Sequence, residues 1–422
     1  MTSASTSPHA SDIVVTGLGA TTPLGGDVAS TWEAMLAGRT GVRSIDDDQH
    51  EWVRRHDLPV RIASPLAVSP TEVLPRVQAR RLDRCEQVAL VAAKEAWEHA
   101  GLGEPGSVVE PERLAVVMGT GIGGAVTLLD QDDLLEGPGL RKVSPLTVPM
   151  LMPNGPAAWV GLEYKARASV HAPVSACASG AEALAWAVRL LRAGEADVVL
   201  AGGAEACITG ITVAGFVQAR TLSQRNDDPE RASRPFDVQR DGFVLGEGAG
   251  VIVLERAEHA AARGAQVHGR LAGYGITSDA YHITGPDPSG NGQIRAVRKA
   301  VADAGLAPTD VDHVNCHATS TVAGDVGEAK AVQVALGDHP VLTAPKSALG
   351  HMVGAAGAVE SIITLLSIRD GIIPATLNLD ELDPGVELDV VAGEPRKADI
   401  AAAVCNSFGF GGHNVAVAFT KV

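Results

Sequence analysis

The chain has 422 residues, of which 45% are hydrophobic and 20% are charged, a composition typical of a globular protein with a large core. The formal net charge of −16 argues against nucleic-acid binding. The 5 cysteines are an odd number without framework spacing, so we expect reduced thiols and a cytoplasmic location. No apolar run reaches the ~18 residues that a membrane-spanning helix needs. Residues 1–12 are Ser/Thr/Ala-rich and predict a disordered tail rather than a signal peptide.

Strands and helices alternate along the chain. Residues 13–19 predict a strand that enters a glycine turn, and residues 85–99 predict a helix that ends at Gly101. Residues 128–156 predict a loop-rich segment, and residues 209–244 predict a long irregular one.

The second part of the chain repeats the pattern of the first. AWEHAGL at 96–102 is echoed by AVADAGL at 300–306, and APVSA at 172–176 by APKSA at 344–348. A glycine loop followed by an apolar strand occurs at 246–254 and again at 409–419. Three echoes in the same order predict two homologous halves, at 13–265 and 266–422. Alternating strands and helices predict an α/β fold with the layers helix, sheet, helix, sheet, helix.

The stretch at 172–194 is the first candidate for chemistry. Cys177 follows a short apolar segment and precedes a run of helix formers from 181 to 192, which we expect to be buried on all sides. A helix start favours the thiolate, which is the nucleophilic form of cysteine. The competing interpretation is a packed core cysteine.

The second half supplies three further segments. His317 and His351 each follow a predicted strand, and residues 406–412 form a glycine turn with two phenylalanines. A cysteine, two histidines and a glycine turn indicate an acyl-transfer site with an oxyanion hole. A zinc site built from Cys177, Cys316, His317 and His351 is an alternative, but no pair has the usual ligand spacing.

These segments resemble one family. SACASG around Cys177, NCHATST around His317, KSALGH at 346–351 and NSFGFGG at 406–412 resemble the β-ketoacyl-[acyl-carrier-protein] synthases. The elongating type is the best match, and Ala318, KSALGH and His413 resemble its actinobacterial branch. The resemblance spans nearly the whole chain and implies a thiolase-like fold of two similar halves in a five-layer αβαβα arrangement.

The resemblance implies a decarboxylative condensation. Cys177 takes an acyl chain from acyl carrier protein, and malonyl carrier protein loses CO₂ and attacks the resulting thioester. His317 and His351 promote decarboxylation and hydrogen-bond the malonyl thioester. The N–H groups of Cys177 and Phe410 form the oxyanion hole. Lys346 supports the histidines, with Glu360 as its acidic partner.

Further positions are implied by the same resemblance. They are the acyl-pocket residues Ile122 and Phe216 with Phe410 as gate, the pantetheine-binding residues Thr319, Thr321 and Thr284, and the carrier-docking residues Arg80, Arg81 and Arg220. The resemblance also implies a homodimer, and we expect no cofactor, no metal and no membrane insertion.

Several alternatives stay open. A polyketide ketosynthase would use the same chemistry on other carrier-bound acids. A chain-length partner subunit would lack the cysteine that this chain has at 177. A dinucleotide-dependent oxidoreductase needs a G-x-G-x-x-G spacing, which residues 119–124 do not have. A thiolase needs a second catalytic cysteine, for which the turn at 406–412 has no counterpart.

Overall fold

A computed structural model describes residues 12–422, so the tail predicted at 1–12 lies outside the described residues except for Asp12. The strands are β1 (Ile13–Thr21), β2 (Arg43–Ser44), β3 (Ile62–Ala63), β4 (Leu114–Gly119), β5 (Ser169–His171), β6 (Val198–Glu205), β7 (Gly248–Arg256), β8 (Gly269–Ser278), β9 (His313–Asn315), β10 (Val341–Thr343), β11 (Ile372–Ile373), β12 (Arg396–Lys397), β13 (Ala402–Gly409) and β14 (His413–Thr420).

The helices are α1 (Val28–Leu36), α2 (Trp52–Arg55), α3 (Pro70–Val73), α4 (Arg76–Ala79), α5 (Arg84–His99), α6 (Ala125–Glu136), α7 (Thr147–Leu151), α8 (Gly155–Glu163), α9 (Ser179–Arg192), α10 (Gly210–Gln218), α11 (Ala257–Ala262), α12 (Asn291–Asp303), α13 (Val322–Leu336), α14 (Lys346–Leu349) and α15 (Ala356–Asp370). Across the described range, no helix combines the length and the apolar composition that a membrane span requires.

Ten strands form one mixed sheet in the order β10-β9-β13-β14-β8-β1-β7-β6-β4-β5. The sheet has two five-stranded halves that meet at β1 and β8. Among the described residues, two pairs join these halves in the sheet, Val14 with Arg270 and Val15 with Gly269. The two sheets expected from the repeat are therefore continuous at one narrow joint.

Helices lie on both sides of each half-sheet. α9 and α15 pack against each other and contact strands of both halves. α5 and α8 cover the first half on its outer side, and α12, with α13 beside it, covers the second. The predicted α/β fold class and the five-layer order are thus confirmed.

The central helix pair is unusually close. A Cβ atom on Gly180 would lie 2.8 Å from the carbonyl oxygen of Gly354, so the approach requires a residue without a side chain. The same small residues bring the start of α9 to the start of α15.

The sequence echoes occupy equivalent places in the two halves. α5 packs on β1 and β7, and α12 packs on β8 and β14. Each helix is followed by a glycine with positive φ, Gly101 at 64° and Gly305 at 70°, as a left-handed C-terminal cap requires.

Three local predictions were wrong. The segment at 128–156 contains most of α6, all of α7 and the start of α8, and the segment at 209–244 contains α10. α6 carries exposed leucines, Leu128 and Leu135, so its sequence lacks the one-sided apolar pattern of a surface helix. α9 is not buried on all sides, because Arg189 is exposed.

A buried histidine makes the fold sensitive to acid. The Nδ1 atom of His313 lies 2.8 Å from the Val341 carbonyl oxygen, to which it donates, and its Nε2 has no hydrogen-bond partner among residues 12–422. Burial lowers the pKa of His313 from 6.5 to about 4, so between these values the unfolded chain binds a proton that the folded chain does not. The stability contribution is therefore lost as the pH falls through this window, by about 2 kcal/mol at pH 5.

We expect His313→Asn to retain a donor for the Val341 carbonyl and to reduce the pH dependence of the unfolding free energy between about pH 7 and pH 5, while the other buried histidines keep their share. Urea unfolding at the two pH values measures this, with the exposed His56→Asn as the matched control. An unchanged slope in the His313 variant would contradict the assignment.

Candidate active site

A strained turn presents Cys177. Residues Ala176–Ala178 form a single 3₁₀ turn directly before α9, and Ala176 has a φ of 52°, which is rare for a residue with a side chain. The Ser179 hydroxyl holds the turn, because its Oγ accepts the N–H of Ser175 at 2.9 Å and lies 2.7 Å from the Ala176 carbonyl oxygen. The turn places the thiol at the wall of a cavity.

Two imidazoles of the second half face this thiol. Nε2 of His351 lies 3.0 Å from Sγ of Cys177. The polar atoms of Cys177, His317 and His351 lie within 4.8 Å of one another, and the two imidazole rings meet edge to face at 5.4 Å. The structure thus brings together three residues that are 34 to 174 positions apart in the chain.

A buried carboxylate fixes the backbone at His317, just after β9. Glu328 on α13 accepts the N–H groups of His317 at 2.8 Å and of Ala318 at 2.7 Å. It also accepts the side-chain amide of Asn406 at 3.1 Å, which ties the segment to β13. The sequence analysis missed Glu328, because a single glutamate on a helix carries no signal of what it contacts.

Lys346 and Glu360 form a buried ion pair beside the histidines. Nζ of Lys346 lies 2.6 and 2.8 Å from the two carboxylate oxygens of Glu360. Burial lowers the pKa of His317 well below its usual value of 6.5, and the charge of Lys346 lowers it further. The same two causes lower the pKa of His351. Both imidazoles are therefore neutral at physiological pH.

The thiol of Cys177 holds its proton. Burial raises the pKa of Cys177 from 9.0 to about 11, while Lys346 and the backbone N–H groups of Phe410 and Cys177 act in the opposite direction. Backbone N–H groups at the helix start thus favour the thiolate, as expected, but they do not determine the resting state. Desolvation outweighs the local dipoles, and the neutral histidines supply no positive charge to offset it.

The glycine turn lies directly on the nucleophile turn. A Cβ atom on Gly409 would lie 2.5 Å from the Ser175 carbonyl oxygen and 3.1 Å from the Cys177 nitrogen. Only glycine permits this contact, which brings the N–H of Phe410 beside the sulfur. Two backbone N–H groups thus lie beside the sulfur, close to where the oxygen of an acyl group bonded to Sγ would lie.

The cavity in front of Cys177 has a volume of about 410 Å³. Its walls include all six pocket and arm positions named from the sequence, namely Ile122, Phe216, Phe410, Thr284, Thr319 and Thr321. Sequence reasoning missed Phe243, whose ring stands edge-on to His351 with centroids 5.2 Å apart, and Gln293. Neither belongs to a motif segment.

The three arginines of the expected docking patch lie outside the cavity wall. Arg80, Arg81 and Arg220 are exposed, and none forms an ion pair with another residue of the 12–422 range. Arg84, which follows Arg80 and Arg81 at the start of α5, differs because its side chain pairs with the buried Glu247. Side chains without carboxylate partners remain available to an acidic protein.

The donor atoms do not favour zinc. Cys316 is separate from the cluster, since its Sγ lies 3.8 Å from the Val314 carbonyl within an apolar core. The remaining group offers three ligand atoms, one each from Cys177, His317 and His351, whereas a closed structural zinc site has four. The 3.0 Å contact between Sγ and Nε2 fits a hydrogen bond, and the neighbouring charge of Lys346 disfavours a dication.

The protonated thiol gives a direct test. We expect the rate of Cys177 alkylation by iodoacetamide to rise about tenfold per pH unit from pH 7 to pH 10 without a plateau, because the thiolate fraction keeps growing below a pKa of about 11. Mass spectrometry measures the labelling, and the other four cysteines are buried. Cys177→Ser is the control. A plateau near pH 8 would contradict the high pKa.

Comparisons with known proteins agree with this geometry. The family model "Beta-ketoacyl synthase, N-terminal domain" matches residues 10–260, and "Beta-ketoacyl synthase, C-terminal domain" matches residues 268–380. The chain is 50% identical to 3-oxoacyl-[acyl-carrier-protein] synthase 2 of Mycobacterium bovis over 97% of both proteins. It is 41% identical to the synthase of the same name from Synechocystis over 97% of this chain and 98% of that protein.

Solved structures agree as well. A beta-ketoacyl synthase from Burkholderia phymatum is similar with a TM-score of 0.90 and 35% identity, covering 97% of this chain and 99% of that one. A ketosynthase of a type II PKS, solved in complex with its acyl-carrier protein, is similar with a TM-score of 0.89 and 29% identity over the same shares. The family matches span both halves and the relatives span nearly the whole chain, and the chain belongs to the β-ketoacyl synthase family.

Proposed function

We propose that this protein is a 3-oxoacyl-[acyl-carrier-protein] synthase of type II fatty acid synthesis. It condenses malonyl carrier protein with an acyl chain bound to Cys177 and extends that chain by two carbons. The observation that carries this proposal is the cluster of Cys177, His317 and His351 at the wall of one cavity. The curated relatives named as such synthases support it.

The first step is transfer of the acyl chain. The thiol of Cys177 attacks the carrier thioester while its proton passes to Nε2 of His351, 3.0 Å away. Proton transfer accompanies attack because the resting thiol is protonated. The N–H groups of Cys177 and Phe410 stabilise the oxyanion. As the tetrahedral intermediate collapses, the carrier thiol leaves with the proton from His351, so the imidazole returns to its neutral form.

The second step is decarboxylation and condensation. For this step the neutral ring of His351 carries its proton on Nε2, so it has changed tautomer after accepting and releasing the thiol proton. His317 and His351 then donate N–H groups to the thioester oxygen of the malonyl unit. The C–C bond to the carboxylate breaks, CO₂ leaves, and the electron pair forms an enolate. The enolate carbon attacks the carbonyl carbon of the Cys177 thioester, and the C–S bond breaks. The leaving thiolate takes a proton from His351, which is reprotonated from solvent. The buried pair of Lys346 and Glu360 keeps the imidazoles neutral and in place.

The cavity accommodates two substrates from two sides. We assign the acyl chain to the wall formed by Ile122 and Phe216, with Phe410 as gate. Phe410 lies beside Phe216, with ring centroids 6.3 Å apart. We assign the pantetheine arm to Thr284, Thr319 and Thr321. The nucleophile thus comes from the half at 13–265 and the histidines from the half at 266–422.

Polyketide synthesis is the competing pathway, because ketosynthases of that pathway share the fold at 29% identity. The 50% identity to a curated 3-oxoacyl synthase favours fatty acid elongation. The experiment that decides is product analysis from malonyl carrier protein with straight-chain acyl primers of graded length. A β-ketoacyl product from these primers supports elongation. Turnover only with polyketide carriers and primers would reassign the pathway.

The carrier protein docks, in our proposal, on Arg80, Arg81 and Arg220. These exposed arginines carry positive charge on a protein with a net charge of −16, and an acidic carrier requires such a local patch.

We also propose a homodimer in the cytoplasm, formed across β5. This strand ends the sheet, so one of its edges has no strand partner within the described residues. Val170 on β5 is 42% exposed, Leu162 on α8 is 68% exposed and Leu128 on α6 is 52% exposed. An unpaired edge beside exposed apolar side chains is a suitable surface for a second copy.

Separate roles for the thiol and the imidazoles predict the effect of Cys177→Gln. We expect condensation to fall below detection while release of CO₂ from malonyl carrier protein persists, because both histidines remain. Radiolabelled malonyl carrier protein measures both reactions in one sample. His317→Ala is the matched control and loses decarboxylation. Loss of decarboxylation in Cys177→Gln as well would contradict separate roles.

Charge reversal tests the docking patch. We expect Arg80→Glu with Arg81→Glu to raise KM for carrier-bound substrates at least tenfold and to leave kcat/KM for the corresponding pantetheine thioesters unchanged. The exposed Arg55→Glu is the control for a general charge effect. An equal loss with both substrate types would remove these arginines from docking.

A charge on β5 tests the dimer. We expect Val170→Glu to produce monomers, because the carboxylate would be buried against a second copy without a partner. Sedimentation velocity measures the mass, and Val334→Glu, at an exposed valine on α13, is the control. A Val170 variant that sediments like the wild type would place the interface elsewhere.

A further inference from the structure

Gln293 on α12 is a buried polar residue without a partner. It is 6% exposed and lies in the wall of the cavity that also contains Cys177, His317 and His351. Its carboxamide makes no hydrogen bond with any residue between 12 and 422, and its Oε1 atom is enclosed. The acceptor oxygen of this amide is therefore removed from water without a hydrogen bond from the described residues.

An unpaired buried amide lowers the free energy of unfolding, and no contact within the described part of the fold compensates for that loss. Nearly all buried polar side chains are hydrogen-bonded, and an unpaired one reduces stability. An apolar side chain of the same length would avoid this cost. A polar residue kept in a cavity wall is expected to find its partner in what the cavity binds.

The position of Gln293 indicates which part of the substrate it meets. The acyl side of the cavity carries Ile122 and Phe216, which are apolar and belong to the first half. Gln293 belongs to the second half, as do Thr319 and Thr321, whose hydroxyls lie 3.1 Å apart. An atom at the Cβ position of Gly290 would lie 3.9 Å from Oε1 of Gln293 and 4.0 Å from the carbonyl oxygen of Gly327, so Gln293 lies near α13, the helix that begins directly after Thr321. This location is next to the threonines that the proposed function assigns to the carrier arm.

We propose that Gln293 hydrogen-bonds an amide of the phosphopantetheine arm. This proposal rests on the function proposed above. Because Oε1 is enclosed, the side-chain N–H group is the part of Gln293 that donates to an amide carbonyl of the arm. The carboxylate of the malonyl group is a poorer partner, because a neutral amide cannot balance a buried charge. Gln293 thus sets the depth to which the arm enters.

The variant Gln293→Met removes the amide and conserves length. We expect kcat/KM to fall about tenfold with malonyl pantetheine and with malonyl carrier protein, as loss of one hydrogen bond predicts. With a malonyl thioester of propanethiol, which has no amide, we expect no change. The melting temperature should stay the same or rise, because an unpaired buried group has been removed.

Gln224→Met makes the same change at an exposed glutamine outside the cavity and should match the wild type in every measurement. An equal loss with the amide-free thioester, or no loss with the arm-bearing ones, would overturn the role of Gln293. A lower melting temperature would indicate a structural role instead. Calorimetric binding of free pantetheine compares the same variants without turnover, so it tests Gln293 even if the wild type forms no β-ketoacyl product and the proposed function fails.

Discussion

The buried positive charge of Lys346 is the constraint on which the site depends. It lies inside the protein, neutralised by Glu360, yet close enough to lower the pKa of both histidines. A site with two imidazolium ions could not donate and accept protons in turn. Without the lysine, the pKa of each histidine would be higher and the neutral imidazole would be less strongly favoured. Burial and the charge of Lys346 together therefore set the protonation state in which the three reacting side chains begin.

Close backbone contact is the second requirement. Gly180 allows α9 to approach the segment before α15, and Gly409 allows the glycine turn to rest on the turn that holds Cys177. These contacts bring groups from both halves to one point. Contacts of this kind account for part of the high glycine content, 47 of 422 residues. Bulky side chains would keep the thiol and the oxyanion donors apart.

Much of the fold and the site was predictable from sequence, for identifiable reasons. The alternation of strands and helices and the three echoes indicated two halves in layers. The motifs containing Cys177, His317 and His351 were recognisable because their chemistry requires particular residue types in a row. Helix α6 was missed because its apolar side chains face outward.

Other features depend on three-dimensional contacts that no local pattern encodes. Glu328 accepts the backbone N–H of His317 from α13, eleven residues further along the chain, and Phe243 reaches His351 from a separate segment. The pKa of Cys177 depends on how completely the site excludes water, which is a property of the assembled cavity. Gln293 is recognised as a candidate only from the structure, where its enclosed Oε1 has no hydrogen-bond partner among the described residues.

The narrow joint between β1 and β8 has a consequence for how the molecule comes apart. Two backbone pairs contribute little cohesion between the halves, whereas α9 and α15 are each packed against both. Removing either half would expose the apolar faces of these shared helices to water. Neither half is then an autonomous folding unit, and unfolding should proceed as one cooperative transition despite the internal duplication.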